Sequence, residues 1–310
     1  MRQANVAQLF EYHRERLQLA RVSGDLDAPI VVKQQHASPA DLVGHLNLIH
    51  PDRIQVIGAP EISWASKQHE MRVARHMTEI LAARPPAVIV ADACPIPANV
   101  RAACEATDTA LLSTPQSAAA VIDLLRIWLS RQLAETVELH AVMMDVLGMG
   151  VLITGDSGVG KSELALELIS RGHGLVADDI VEIARVAPNT LEAHCPPLLR
   201  DFLEVRGLGV LNIRTVFGET ACRRKMKLKL VVNLLRPQKG AVEVDRLPLG
   251  AEIHEILGVP VRKVSIPVAA GRNLAVLLEA AVRSTILLLR GIDSTQEFVE
   301  RHKQAMGDGD

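Results

Sequence analysis

Short apolar runs alternate with longer amphipathic segments along the N-terminal part of the chain. The apolar runs, of four to six residues, are bounded by proline, glycine or charged side chains, which is typical of buried strands. The segments between them repeat apolar residues at helical spacing. Strands that alternate with helices predict a mainly parallel sheet covered by helices. The predicted strands are residues 29–33, 53–58, 87–91 and 110–113, and the predicted helices are residues 6–19, 39–48, 69–83 and 97–106.

A long segment without glycine, residues 114–134, predicts a helix that links this region to a second domain. The chain has 310 residues, more than a usual single domain, so two domains are expected. We expect an N-terminal α/β domain over residues 1–130, including the linker helix, and a second domain over residues 131–310. The first domain contains no phosphate-binding glycines and no acids or histidines at catalytic spacing. Its role therefore does not follow from the sequence.

The second domain contains a predicted phosphate-binding loop. An apolar strand, residues 151–154, is followed by G-x-x-x-x-G-K-S and then by a segment with helical spacing, residues 162–170. Glycines allow successive backbone N–H groups to face one concavity at the helix start, where they bind phosphate. A structural glycine-rich turn is the alternative, but it would not require the strand and the helix. The loop residues are Gly155, Asp156, Ser157, Gly158, Val159, Gly160, Lys161 and Ser162, with Lys161 expected at the β- and γ-phosphates and Ser162 at Mg²⁺.

A hairpin is predicted to bring His140 close to this loop. Residues 137–146 indicate a strand, and a two-residue turn at Gly148 and Met149 would fold it back on the strand of the loop. Counting outward from that turn places His140 opposite Ser157, within two residues. The alternative is a histidine that only packs in the core.

Three carboxylates are candidates for chemistry at the loop. A predicted strand, residues 175–180, ends in Asp178 and Asp179, and an acid after an apolar strand often serves the metal in P-loop enzymes. Neighbouring strand residues face opposite sides, so only one of the two aspartates is expected to face the phosphates. Both could instead simply be solvated at a strand end. Glu204 lies in a glycine-interrupted strand, predicted to be a bulge and a site, formed by Leu203, Glu204, Val205, Arg206, Gly207, Leu208, Gly209, Val210, Leu211 and Asn212.

Two further segments carry charge. Residues 223–230 alternate basic and apolar side chains, which predicts an edge strand with one solvated face, or less favourably a docking patch. Gly271, Arg272 and Asn273 precede a predicted helix over residues 274–289. Free N–H groups and the helix dipole attract anions, so this loop is a candidate phosphate site.

Composition narrows the class of partner. A net charge of −2 and an aromatic content of 2% disfavour nucleic acid as a ligand. The four cysteines show no metal spacing and are expected to be reduced thiols. No signal peptide and no apolar run long enough for a membrane span is found, so we expect a cytoplasmic protein with no membrane partner.

Several motifs together resemble the HPr kinase/phosphorylase family. The P-loop with Glu163, the segment Glu204 to Asn212, Arg171-Gly-His, Ala177-Asp-Asp and Gly271-Arg-Asn all match. The resemblance is strong over residues 136–290 and fainter before them. It implies a C-terminal P-loop kinase domain resembling phosphoenolpyruvate carboxykinase, assembled as a homohexamer.

The resemblance also implies an activity and site roles. The family phosphorylates a regulatory serine of the carrier protein HPr with ATP and Mg²⁺, and it removes that group with inorganic phosphate to give pyrophosphate. This serves the sugar phosphotransferase system. His140, Lys161, Asp179 and Arg246 would be catalytic, and Ser162 and Glu204 would bind the metal. The loop implicated in dephosphorylation would be Val268, Ala269, Ala270, Gly271, Arg272 and Asn273.

Other classes remain open at this stage. A P-loop GTPase is disfavoured because no N-K-x-D motif occurs. A small-molecule kinase or a phosphoenolpyruvate carboxykinase-like enzyme would share the architecture. A non-catalytic ATP-binding sensor is a third possibility.

Overall fold

A computed structural model describes residues 4–33, 38–236, 252–269 and 271–307. The chain divides into two compact units, Met1–Glu135 and Thr136–Asp310. Four buried apolar clusters lie in these units, and each cluster draws its residues from one unit alone. Each unit therefore has its own hydrophobic core.

The first unit is an α/β structure with a five-stranded sheet. The sheet order is β2-β7-β6-β5-β4, in which β4 to β7 are parallel and β2 is antiparallel to β7. A small antiparallel pair, β1 and β3, lies outside this sheet. Strands are β1 Ala4–Asn5, β2 Ala20–Ser23, β3 Pro29–Ile30, β4 Val43–His45, β5 Ile54–Ile57, β6 Ala87–Val90 and β7 Ala110–Ser113; helices are α1 Val6–Leu17, α2 Ala59–Ala65, α3 Glu70–Ala82, α4 Ala98–Thr107 and α5 Ala118–Gln132.

The mainly parallel sheet expected from the sequence is confirmed, but one predicted helix is wrong. Residues 39–48 form a 3₁₀ helix, Pro39–Leu42, followed by β4. Val43 is fully buried and pairs with Ile54 of β5. Val43 and Gly44 are both weak helix formers, so sheet pairing overrides the helix signal of Ser38-Pro39.

The second unit is built on a nine-stranded sheet. Its order is β11-β9-β10-β16-β13-β12-β8, and β18 also pairs with β16 while β17 pairs with β18. Its strands are β8 Glu135–His140, β9 Val142–Val146, β10 Met149–Gly155, β11 Gly174–Ala177, β12 Ile180–Ala187, β13 Thr190–His194, β14 Phe202–Val205, β15 Gly209–Asn212, β16 Lys225–Leu235, β17 Glu252–Ile256 and β18 Val259–Pro267; its helices are α6 Lys161–Ser170, α7 Ile213–Phe217, α8 Leu274–Leu289 and α9 Ser294–Gly307.

Parallel pairing at the centre of this sheet positions the phosphate-binding loop. β16 is parallel to both β10 and β18. The antiparallel pairs of the sheet are β9 with β10, β9 with β11, β12 with β13, β13 with β16, and β17 with β18. β10 leads into the loop, and α6 follows it. Leu164 and Leu168 of α6 pack in one apolar cluster with Leu278 and Val282 of α8.

The predictions for the basic segment and for the glycine-interrupted strand of the second unit are wrong. The basic segment before residue 230 belongs to β16, which lies inside the sheet between β10, β13 and β18. Lys225, Lys227 and Lys229 are exposed and alternate with the less exposed Met226, Leu228 and Leu230. The alternation therefore indicates one solvated face of an interior strand and not an edge strand. Residues 203–212 are not a bulged strand but a hairpin, with β14 antiparallel to β15. Gly207 and Gly209 have φ values of 86° and 85° at its turn.

Candidate active site

The phosphate-binding loop leaves β10 through glycines that no other residue could replace easily. Gly155 has a φ of 141°, and a Cβ there would lie 2.6 Å from the carbonyl oxygen of Leu234. Gly158 has a φ of 68° at the tip of the loop. α6 begins at Lys161 with no side chain capping its first N–H groups. The loop and the helix start therefore offer free N–H groups and a positive dipole end, which suit a polyphosphate.

Lys161 folds back over the loop. Its Nζ donates to the carbonyl oxygens of Gly155 and Asp156 at 3.0 and 3.1 Å. The ammonium group therefore lies beside the concavity that the loop surrounds. Its contact with a phosphate stays a prediction.

Asp178 connects the loop to the hairpin of β14 and β15. Its Oδ1 accepts a hydrogen bond from Ser162 Oγ at 3.1 Å, and its Oδ2 accepts from the backbone N–H of Glu204 at 3.0 Å. The side chain is buried, and this burial raises the pKa of Asp178, against the opposing effect of the two hydrogen bonds. The hydroxyl oxygen of Ser162 and the carboxylate oxygens of Asp178 thus lie side by side as candidate metal ligands.

Asp179 is directed differently and lies beside His140. Its side chain is 67% exposed, its backbone has a left-handed φ of 64°, and its Oδ1 lies 3.5 Å from His140 Nδ1. The backbone N–H of Ala141 donates to the carbonyl of Asp179 at 3.2 Å, which holds the two chain segments together. The two aspartates therefore have different partners, although both line the same pocket and both lie between β11 and β12, so strand alternation is not the cause.

The register that was expected to place His140 needs correction. The turn between β9 and β10 is Leu147-Gly148, with φ values of 55° and 81°, so Val146 pairs with Met149. The strand also breaks at Ala141, and His140 ends β8, whose neighbour is β12. His140 still lies at the loop, because the break after β8 leaves it beside Asp179.

One pocket of about 330 Å³ collects most of the candidate residues. It is polar and open to solvent, as expected for a charged substrate. Glu163 and Arg206 line it as well, together with residues of the loop, the two aspartates and the hairpin. The lining residues are His140, Ala141, Val142, Gly155, Ser157, Gly158, Gly160, Lys161, Ser162, Glu163, Asp178, Asp179, Glu204 and Arg206.

Arg236 is a second arginine at the loop tip, beside Arg206 of the glycine-containing segment, and the sequence did not predict it. Arg236 Nη2 donates to the carbonyl of Ser157 at 2.8 Å. A Cβ on Gly158 would lie 3.2 Å from Arg236 and 3.3 Å from Arg206, so both guanidinium groups flank the loop tip. Arg236 follows β16, the parallel neighbour of β10. Because parallel strands end at the same edge, the pairing of these strands would have revealed Arg236.

The predicted dephosphorylation loop is only partly described. Arg246 and Ala270 lie outside the described residues. Val268 is tied to β16 by its N–H, which donates to the Leu235 carbonyl at 2.8 Å, and Asn273 caps α8 by accepting from Val276 N at 2.9 Å. Arg272 is exposed.

Arg171-Gly-His forms a structural contact. Arg171 donates through Nε and Nη2 to the two carboxylate oxygens of Glu279 at 2.7 and 2.8 Å, and His173 Nε2 lies 3.0 Å from the same carboxylate. These contacts lower the pKa of Glu279 to about 2, with the Arg171 hydrogen bond as the main cause. The motif joins the end of α6 to α8.

The donor set at the pocket fits Mg²⁺. Among the residues that the structure describes, no three His, Cys, Asp or Glu side chains cluster as a complete metal cage. Mg²⁺ does not require one, because it commonly takes one or two carboxylates, waters and substrate phosphates. Ser162, Asp178 and Glu204 all line the pocket and carry such oxygens.

Family models match both units. The model described as HPr Serine kinase N terminus matches residues 4–129, and the model described as HPr Serine kinase C-terminal domain matches residues 131–302. The chain belongs to the HPr kinase/phosphorylase family. The resemblance predicted from the motifs is confirmed, and the match to the first unit extends it to the region where the sequence signal was faint.

Relatives in the HPr kinase/phosphorylase family match along the whole chain. The HPr kinase/phosphorylase of Aromatoleum aromaticum is 63% identical over 306 residues, which cover 99% of this chain and 98% of the relative. That of Azoarcus sp. is 64% identical over 311 residues, covering 100% and 99%. A solved structure of the Hpr(Ser) kinase/phosphatase from Coxiella burnetii is 35% identical with a TM-score of 0.47, covering 52% of this chain and 98% of that one. Across the described part of this chain, no helix is both long and apolar enough to cross a bilayer.

Proposed function

We propose that the protein phosphorylates a regulatory serine of HPr with ATP and reverses this modification with inorganic phosphate, releasing pyrophosphate. The observation that carries the proposal is that the residues for three functions line one pocket. A phosphate-binding loop with Lys161, a metal-type oxygen set at Ser162 and Asp178, and an exposed carboxylate at Asp179 all line it. Phosphoryl transfer requires these three functions within a few ångströms of one another.

The donor phosphates would be bound by the loop amides and by cationic side chains. Lys161 would exchange its two carbonyl contacts for phosphate oxygens. Arg206 and Arg236 flank Gly158 and add positive charge at the loop tip. Ser162, Asp178 and Glu204 would hold Mg²⁺, which would supply charge neutralisation at the transferred phosphate.

Asp179 would handle the proton of the acceptor serine. In the forward direction the serine oxygen bonds to the γ-phosphorus, the bond from that phosphorus to the β,γ-bridging oxygen breaks, and Asp179 takes the hydroxyl proton. In the reverse direction a phosphate oxygen attacks the phosphoserine phosphorus, the serine oxygen leaves with the proton from Asp179, and pyrophosphate forms. His140, at 3.5 Å, would orient the carboxylate in both directions.

Other assignments extend this proposal. Arg246 would serve as a further catalytic cation. The loop of Val268 to Asn273, with Arg272 at the start of α8, would act mainly in dephosphorylation, where an additional anion must be bound. We further propose a homohexamer, HPr or a paralogue of it as the protein partner, a cytoplasmic location and a role in the sugar phosphotransferase system.

The test is a transfer assay with purified HPr. The protein is incubated with ATP and Mg²⁺, and the mass of the HPr serine peptide is measured; phosphoseryl-HPr is then incubated with phosphate and assayed for pyrophosphate. We expect both reactions, and we expect Lys161→Ala to abolish both while the exposed-lysine control Lys67→Ala retains them. ATP binding without transfer to HPr would instead indicate a sensor, and transfer to small acids alone would indicate a small-molecule kinase.

A further inference from the structure

A second pocket, of about 460 Å³, lies within the first unit and opens at the carboxyl ends of three parallel strands. Leu46 to Leu48 follow β4, Pro60 and Glu61 lie just beyond β5, and residues 97–100 follow β6. In open α/β sheets, ligands bind beyond this edge where the strand order reverses; here β4 to β7 follow one another in order, so the cavity itself marks the candidate site. The volume is also within the usual range for small-molecule sites. The first unit therefore has a cavity of ligand size at the carboxyl ends of its parallel strands.

The walls of this pocket are mainly apolar. Ile57, Met77 and Ile80 are buried side chains at its base. On one wall the rings of Trp64 and His76 stack, with centroids 5.8 Å apart and an interplanar angle of 11°. Trp64 remains 45% exposed, so an aromatic surface is available to a ligand. A flat, apolar body would match these walls.

The polar groups at the pocket are few and mostly donors. Asn47 and Asn99 each use their side-chain oxygen internally, to accept from the N–H of Ile49 at 2.7 Å and of Val100 at 2.9 Å. Their amide nitrogens have no partner among the residues that the structure describes. Two such donors at one pocket favour a ligand with a hydrogen-bond acceptor.

The carboxylate at the pocket is already engaged. Glu61 Oε2 accepts from the N–H of Gly58 at 2.8 Å, and its Oε1 lies 3.2 Å from His45 Nδ1. The negative charge of Glu61 is therefore used within the protein and does not call for a cationic ligand. An uncharged ligand suits this electrostatic environment better than a charged one.

The helix that forms one wall is fixed in place from outside the pocket. Asp92, just after β6, accepts from the N–H of Ala59 at the start of α2 at 2.7 Å and from Ala118 N at 3.0 Å. Asp92 and Ala93 both have left-handed φ values, 58° and 52°. Such strained backbone persists where surrounding structure holds it and is often found at ligand sites. These hydrogen bonds hold the start of α2, whose later residues line the pocket.

We propose that this pocket binds a small, flat, uncharged and mainly apolar molecule that carries a carbonyl-type acceptor, and that the first unit is a ligand-binding module. The apolar body would lie against Trp64. The acceptor would receive hydrogen bonds from Asn47 and Asn99. This site uses none of the residues of the phosphoryl-transfer pocket.

The test uses acetanilide, which has one aromatic ring and one carbonyl, and toluene, which lacks the carbonyl. Binding to the full chain is followed by ligand-observed saturation-transfer NMR and by tryptophan fluorescence. Trp64 is one of two tryptophans, and the other, Trp128, is buried. We expect saturable binding of acetanilide with a Kd below about 1 mM, and a fluorescence change that Trp64→Phe abolishes.

Variants separate this site from non-specific binding. Val73→Phe, or Ala65→Leu if the first does not fold, fills the pocket and should weaken acetanilide binding at least tenfold. Ile127→Phe, at an exposed position of α5, should not. The double variant Asn47→Ala with Asn99→Ala should weaken acetanilide by about tenfold while leaving toluene unchanged. The proposal is overturned if acetanilide shows no saturable binding, or if the pocket-filling variants do not weaken it. If the double asparagine variant weakens acetanilide and toluene equally, the proposed hydrogen bonds to a ligand acceptor are overturned.

Discussion

Asp178 and Asp179 are neighbours in sequence but lie in opposite environments. Asp178 is buried and hydrogen-bonded to Ser162 and to Glu204 N, and burial raises its pKa. Asp179 is largely exposed beside His140. A carboxylate that must exchange a proton with a substrate hydroxyl needs access, whereas one that orients a hydroxyl and a metal needs fixed contacts. The two aspartates therefore have the different environments that their two proposed roles require.

Replacing each aspartate by asparagine should separate these roles. Asp179→Asn removes the proposed base without changing side-chain size, so we expect kcat to fall by about 10² to 10⁴ in both directions with nucleotide binding retained. Asp178→Asn should instead raise the Mg²⁺ concentration needed for half-maximal rate, because one anionic oxygen near the metal is lost. Rates at several Mg²⁺ concentrations and nucleotide binding give the comparison. Near-normal turnover by Asp179→Asn would remove it from the proposed mechanism.

A buried histidine makes the first unit sensitive to acid. His13 on α1 is buried against Tyr12 and Trp128, and neither ring nitrogen has a hydrogen-bond partner. Burial, with a smaller effect of Arg16, lowers the pKa of His13 from 6.5 to about 4. Unfolding therefore takes up a proton between these two pH values. The contribution of His13 to the free energy of unfolding should be constant well above pH 6.5 and should fall as the pH drops towards 4.

The expected loss is roughly 2 kcal/mol at pH 5, compared with pH 7. Urea unfolding followed by tryptophan fluorescence measures it, because both tryptophans lie in this unit. His13→Phe should flatten the pH dependence of the midpoint, and His50→Gln, at an exposed position, should not. The same pH dependence in His13→Phe and the parent protein would show that other groups cause it.

At the scale of elements, α6 and α8 are joined by an ion-pair cluster as well as by apolar packing. Arg171 and His173 at the end of α6 both contact Glu279, whose side chain is only 15% exposed. α6 begins at the phosphate-binding loop and α8 begins after the loop of residues 268–273. The cluster thus fixes the spacing of two helices whose N-terminal ends carry candidate phosphate-binding groups.

Glu279→Gln should loosen α8. One charged oxygen and its hydrogen bonds are lost, so we expect about 1–3 kcal/mol of local stability to disappear and the amides of Leu274–Leu289 to exchange faster. The folded state lowers the pKa of Glu279, so its contribution is complete above pH 4.5 and is lost only towards pH 2. Hydrogen exchange at neutral pH measures the change. Glu297→Gln, which breaks an exposed pair with Arg301 on α9, is the control and should have little effect; equal exchange in the two variants would contradict the role of the cluster.

The sequence predicted elements well where one signal dominated. The pattern over residues 274–289 matches α8, and the apolar run at residues 110–113 matches β7. It failed where non-local pairing decided the outcome. Val43 joins a sheet because β5 lies beside it, and the segment starting at Lys225 is interior because β10, β13 and β18 surround it. The neighbouring strands that decide these two outcomes cannot be identified from the local spacing of apolar residues.

The same limit applied to the site. The P-loop follows from local spacing, so its residues were found directly. Arg236 escaped notice because only the pairing of β10 with β16 brings it to Ser157. His140 was expected at the loop by a hairpin register that proved to be wrong, and it lies there because β8 ends next to Asp179.

At the scale of the whole molecule, the two units contain separate cores and separate pockets. The apolar clusters do not mix residues from the two units, and each pocket is lined by one unit. Every residue proposed for phosphoryl transfer lies after Thr136. The second unit of such a chain should fold without the first, provided that the truncation keeps β8, which begins at Glu135 and carries His140.

We therefore expect a fragment of residues 131–310 to fold and to phosphorylate HPr with a kcat within about tenfold of the full chain, since the proposed chemistry and its supporting core are retained. Circular dichroism checks folding, and the HPr transfer assay checks activity in both directions. Lys161→Ala in the same fragment is the matched control and should be inactive. Acetanilide should not bind the fragment, because Trp64, Asn47 and Asn99 are absent from it. A folded fragment that binds ATP but transfers nothing would mean that the first unit contributes to the phosphoryl-transfer site.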